Sequence, residues 1–125
     1  MFVDTKAFSS FAVDDIDKAK AFYAEILGVK VSEESKWGLL ILHLTGGTDI
    51  MVYPKPEHVP AAYTVLNFPV SDIDSAVDEL GKRGVSFLRY DGFVQDVKGV
   101  ARGEGPLIAW FTDPAGNVLS VIEQD

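Results

Sequence analysis

With an offset of 57 positions, Phe11 to Tyr23 falls on Phe68 to Leu80, and six of the thirteen pairs are identical: Phe11/Phe68, Val13/Val70, Asp15/Asp72, Ile16/Ile73, Asp17/Asp74 and Ala19/Ala76. A unit of half the chain that occurs twice restricts the architectures open to it. Two amphipathic helices could match by chance, so the flanks decide. Each helix follows an alternating strand and ends near a glycine, Gly28 or Gly84, and each glycine is followed by valine and a further extended run.

In the first unit, Thr5 to Val13 alternates toward Phe11 and Val13. Asp14 or Asp15 then caps a helix with Ile16, Ala19, Tyr23, Ile26 and Leu27 on one face. Gly28 suits a left-handed helix end. Val29 to Glu34, Trp37 to Leu44 and Thr48 to Tyr53 follow as strands, the last two joined by Gly46-Gly47 in a tight hairpin. The order is β-α-β-β-β. Pro54, Pro56 and Pro60 mark a stiff connection, so the expected organisation is one domain of two modules, 1–54 and 62–125, joined by a linker over 55–61.

The second unit repeats the order, with a strand over Ala62 to Val70, a helix carrying Ile73, Ala76, Val77 and Leu80, and a strand over Val85 to Tyr90. Pro69 lacks an N–H, so its strand is expected to fray or turn there. Leu107 to Thr112 and Asn117 to Glu123 form a hairpin, with Pro114 presetting the turn and Gly116 supplying positive φ. Asp91 to Gly105 has no clear period and reads either as part strand or as a mobile flap over a site.

The chain has 125 residues, 47% of them apolar, which suffices for one domain with a core. No apolar run approaches the roughly 18 residues of a membrane span, and the early acids and lysine (Asp4, Lys6, Asp14, Asp15) interrupt any export leader. A cytoplasmic protein that contacts no membrane is expected. Without cysteine there is no disulfide, thiolate nucleophile or Cys-ligated metal. A net charge of −8 repels a phosphate backbone, which argues against nucleic acid and leaves cationic partners open. Part of that charge has a local role, since Asp14, Asp15, Asp17, Asp72 and Asp74 cluster where two helices begin.

The run Val13-Asp14-Asp15-Ile16-Asp17-Lys18-Ala19, with Phe22-Tyr23 and Leu27-Gly28 after it, resembles the first-helix signature of the vicinal oxygen chelate superfamily, the glyoxalase, bleomycin-resistance and extradiol dioxygenase group. Asp113-Pro114-Ala115-Gly116-Asn117 resembles that family's last hairpin. The resemblance spans nearly the whole chain. It implies an α+β fold of two βαβββ modules whose mixed sheets curl around a cleft, and pairing as a homodimer.

Strand alternation sorts the faces independently. Phe11 and Val13, Leu66, Phe68 and Val70, Ile50 and Val52, and Leu119 and Val121 should pack under the helices. The opposite face carries Phe8, Ser10, Ala12, Val65, Asn67, Asp49, Met51, Tyr53, Val118, Ser120 and Ile122. It is too apolar to face water as an open sheet, so the other module, a second subunit or a ligand should cover it. Tyr53, Ser10, Asn67 and Ser120 would fix a ligand's orientation there, or else satisfy one another. Trp37, Trp110, Phe8 and Phe93 would line it for a flat or cationic ligand, although core packing explains each equally well, and for Trp110 so does a dimer contact. His43 reads either as a half-buried histidine with a backbone partner, the more ordinary case, or as a pocket base. His58 reads as solvated. Arg89 and Arg102 read as surface charges or anion contacts. No Ser/His/Asp set stands out in the sequence.

The resemblance implies that metalloenzymes of the family would carry His, Gln or Glu at the positions of Phe8, Met51, Val65 and Ser120. None of the four suits nickel, zinc, iron or manganese, which want imidazole or carboxylate. The expectation is therefore a cofactor-free small-molecule-binding protein, with drug sequestration as one form. The ligand-binding candidates are Phe8, Ser10, Trp37, His43, Met51, Tyr53, Val65, Asn67, Trp110 and Ser120. The alternative is an enzyme of the same superfamily, of lyase, isomerase or dioxygenase type, whose metal or acid–base set the residue pattern does not reveal.

Overall fold

The computed structural model describes residues 1–103 and 105–124 and contains two compact units, Met1–His58 and Val59–Asp125. Each unit is a sheet with a helix packed on one face, as the duplication leads one to expect.

The first unit begins with β1 (Ser9–Val13), and α1 (Ile16–Ala21) follows. Asp15 is the residue that caps α1, with its carboxylate accepting from Lys18 N at 3.1 Å. The helix then widens into a π-helical turn, Phe22–Ile26, in which Leu27 N–H reaches back to Phe22 O at 3.0 Å. That extra residue rotates the phase of the helix face. Phe22 and Tyr23 are both buried, with rings edge to face at 5.2 Å, whereas Ile26 and Leu27 are only half-buried. The regular 3.6 period expected from the sequence gave way here to aromatic packing.

Gly28, at φ 71, ends the helix. β2 (Lys30–Glu34), β3 (Leu39–Leu44) and β4 (Thr48–Pro54) follow, and the sheet order is β1-β4-β3-β2, with β1 parallel to β4 and the other pairs antiparallel. Gly46 and Gly47 both take positive φ in the β3–β4 turn. The face toward α1 holds Val13, Leu40, Leu42, Ile50 and Val52, all buried, with Phe11 half-buried, so strand parity placed Val13, Ile50 and Val52 in the core, whereas Leu40 and Leu42 were not assigned from the sequence.

The second unit contains β5 (Thr64–Val70), α2 (Ile73–Lys82), β6 (Ile108–Thr112) and β7 (Val118–Glu123), in a sheet of order β5-β7-β6. Asp72 caps α2 through Ser75 N, and Glu123 accepts from Ile73 N at 3.0 Å, which ties the helix start to β7. Ile73, Val77, Ala109, Phe111, Leu119 and Val121 form the core beneath it.

Two local expectations are corrected. Over Val85 to Tyr90, where a strand was expected, there is a single bridge, Phe87–Phe111, with a bond from Leu88 N to Trp110 O, so that among the described residues this sheet has three strands. Pro69 does not end its strand: β5 continues to Val70, with Pro69 opposite Ile122. Because β5 is the edge of its sheet, the missing N–H interrupts no second ladder. The 113–117 turn matches its sequence reading, and its two ends, Asp113 and Asn117, are buried. Asp113 Oδ1 accepts from Ala115 N and Asn117 N, Oδ2 accepts from Asn117 Nδ2, and Gly116 has φ 88.

Candidate functional site

In the second unit, Trp110 and Ser120 pair in register on the face of the sheet away from α2, and Asn67 lies opposite Ser120 from β5. Ser120 is 0% exposed, and its Oγ donates to Oδ1 of the exposed Asn67 at 2.5 Å. The segment between α2 and β6 folds back over this face. Ala101 joins Trp110 and Val118 in a buried cluster, with Leu88, Tyr90 and Ile108 packed against it. This segment supplies part of the cover that an apolar second face requires.

The same segment builds an aromatic corner. Tyr90 meets Trp110 edge to face at 5.2 Å, and Phe93 lies 5.0 Å from Trp110 at 55°. Beside it is a cavity of about 470 Å³ lined by Gly92, Phe93, Val94, Ala101, Gly103, Pro106 and Ile108. That volume is within the range of small-molecule sites, and the lining side chains are apolar, with polar main-chain atoms exposed between them. Phe93 remains 56% exposed, so an aromatic edge is left open at the mouth.

Specific hydrogen bonds organise the loop. Gln95 Oε1 accepts from Tyr90 N, while its Nε2 donates to Leu88 O at 2.9 Å and Gly99 O at 2.7 Å. Asp96 accepts from Lys98 N, Val100 N and Arg102 Nε. Partial burial pushes the Asp96 carboxyl up, but the Arg102 guanidinium and the two backbone N–H groups outweigh it and hold its pKa below the ordinary value. Arg89 donates to Asp96 O and Val97 O, and Arg102 also reaches Asp74 on α2, so both arginines are engaged in fastening the loop. Gly99 sits at φ 96 with no room for a side chain, since a Cβ there would lie 2.9 Å from Phe87 Cβ.

In the first unit, the face away from α1 carries Ser10 beside Met51, Met51 beside Ile41, and His43 beside Asp49, with Tyr53 one step further along β4. His43 Nδ1 lies 3.0 Å from Asp49 Oδ1, and Nε2 lies 2.7 Å from Ser32 Oγ. The partners of His43 are side chains on the two flanking strands. Neither Ser32 nor Asp49 was singled out with it in the sequence, because strand register aligns them and spacing does not.

The other expected site residues fall in different settings. Phe8, just before β1, and Trp37, in the turn before β3, are each 66% exposed, and Lys36 Nζ stands 5.2 Å from the Trp37 ring centroid. Val65 lies where the β5–β7 register shifts between Thr64 and Leu66, a bulge that alternation could not anticipate. Tyr90, Val94, Gln95 and Ala101 were missed as pocket builders because residues 91–105 carry no period. Glu104 of that stretch lies outside the described residues.

The four residues at which the resemblance implies metal ligands do not fit a catalytic ion. Phe8 and Val65 offer carbon, Met51 a soft thioether, and the Ser120 hydroxyl is already bonded to Asn67. Among the described residues, no group of three or more His, Asp or Glu is placed to hold a metal ion.

The model of the Glyoxalase/Bleomycin resistance protein/Dioxygenase superfamily matches residues 7–121, and the chain belongs to this superfamily. Solved structures share the fold at low identity. TnmS3, an antibiotic binding protein from Streptomyces sp. CB03234, is 25% identical with a TM-score of 0.70, over 98% of this chain and 99% of that one. The fosfomycin resistance protein FosX from Listeria monocytogenes is 14% identical with a TM-score of 0.72, over 98% and 95%. A superfamily member from Sphaerobacter thermophilus is 23% identical with a TM-score of 0.68, over 95% and 98%. No curated protein matches the chain. No helix among the described residues is long and apolar enough to cross a membrane.

Proposed function

We propose that this protein binds a small organic molecule without a metal cofactor, and that the guest rests against the Phe93–Tyr90–Trp110 corner. The observation that carries this reading is the cavity of about 470 Å³ bounded by Phe93, Val94, Ala101, Pro106 and Ile108. Its apolar walls and open aromatic edge suit a flat ring, with one polar pair, Asn67 and Ser120, on the same sheet face as Trp110. The net charge of −8 favours a cationic guest over an anionic one and disfavours nucleic acid. An antibiotic binding protein among structures of this fold supports a sequestering role. A homodimer, following the family resemblance, and a cytoplasmic address are part of the same proposal.

The two tryptophans provide the test, since Trp37 is exposed and Trp110 buried. In a Trp37→Phe variant, Trp110 is the sole indole. Titration with ethidium, a planar aromatic cation, is expected to quench its emission saturably. Phe93→Ala should weaken binding about fivefold to tenfold, the loss of one aromatic contact of roughly 1 kcal/mol. Quenching that never saturates, or that Phe93→Ala leaves unchanged, would remove the corner from the account.

A further inference from the structure

The open face of the first unit's sheet carries a hydrogen-bonded Ser–His–Asp row that the binding reading does not use. Ser32 on β2, His43 on β3 and Asp49 on β4 project from adjacent strands, and the imidazole lies between the other two with bonds of 2.7 Å to Ser32 Oγ and 3.0 Å to Asp49 Oδ1. A carboxylate can only accept, so in the neutral ring Nδ1 carries the proton and Nε2 is left as the acceptor for Ser32 O–H. Nucleophile, base and orienting acid thus stand in the sequence of contacts that activates an alcohol, a constellation recognised by geometry and not by chain order.

Sheet register enforces the arrangement. Lys30 pairs with His43 and Ser32 with Ile41 across β2–β3, while His43 pairs directly with Asp49 across β3–β4, so the three side chains share one face. Ser32 is exposed and the His43 side chain is 34% exposed, which leaves the Oγ open to a reagent.

We propose that Ser32 is an activated nucleophile and that this face accepts acyl groups from activated esters. In the first half-reaction the Ser32 Oγ proton passes to His43 Nε2, Oγ bonds the acyl carbon, the ester C–O bond breaks, and the leaving alcohol takes the proton from Nε2. In the second, water attacks the acyl carbon and gives a proton to Nε2, and the acyl–Oγ bond breaks with return of that proton to Oγ. Asp49 holds the tautomer and orients the ring.

The test uses the full chain with a phosphonyl fluoride, which forms an Oγ–P bond with loss of fluoride, and with p-nitrophenyl acetate. Intact-mass analysis is expected to show one phosphonyl adduct per chain, mapped to the Ser32 peptide and absent in Ser32→Ala. His43→Gln should slow labelling and ester cleavage roughly a hundredfold, the usual share of a positioned base, and Asp49→Asn should slow both by less. His58→Gln should change neither. Circular dichroism checks that each variant is folded, as substitution of exposed strand residues predicts. No adduct on Ser32 in folded protein, or ester cleavage that survives Ser32→Ala at full rate, would overturn the assignment.

Discussion

Single residues decide whether the pocket loop exists. Gln95 satisfies three main-chain groups at Leu88, Tyr90 and Gly99 with one amide, so Gln95→Ala leaves part-buried donors and acceptors without their partner. A loss of about 1–3 kcal/mol is expected, read as a lower Tm together with weaker ethidium quenching. Gly99 is constrained differently. Its φ of 96 and the 2.9 Å approach to Phe87 Cβ exclude a methyl group, so Gly99→Ala should cost on the order of 1–3 kcal/mol, while the same change at Gly103, which has open space, should cost less. Chemical denaturation of the two variants measures the difference. The identity of Gly99 was plain in the sequence, but its close neighbour was not, because Phe87 reaches it through a bridge to β6 and not through a regular strand.

At the scale of elements, the sequence revealed what depends on period and local chemistry. Alternation predicted the buried residues Ile50 and Val52 of β4 and Leu119 and Val121 of β7, and aspartate placement predicted the caps of α1 and α2. The π-helical turn at Phe22–Ile26, the bulge at Val65 and the loss of a strand over 85–90 were not legible, since each is decided by tertiary packing that overrides local pattern. The loop between α2 and β6 is held by charge, which makes it sensitive to acid. The Asp96 pKa is depressed in the folded protein, where the donors from Arg102, Val100 and Lys98 prevail over burial. Its stabilising contribution is therefore fully present above the ordinary carboxylate pKa and is lost as pH falls through the lower folded value. Trp110 emission in the Trp37→Phe variant should shift as the loop loosens in acid. Asp96→Asn should remove most of that shift, and an unchanged acid transition in that variant would place the trigger elsewhere.

For the whole molecule, superfamily membership and fold were readable from a duplicated helix signature and one hairpin, and chemistry was not. His43 was read first as a half-buried histidine with a backbone partner; its side-chain partners Ser32 and Asp49 emerge only from register, and the aromatic pocket only from a segment without period. The central claim is that the chain recognises an organic guest by shape and aromatic contact, with no ion to polarise it. Native mass spectrometry of untagged protein, purified without chelators, tests this most directly. The account predicts that no stoichiometric transition metal is retained and that added ethidium gives a one-to-one adduct which Phe93→Ala diminishes. One nickel, zinc, iron or manganese ion per chain would contradict it.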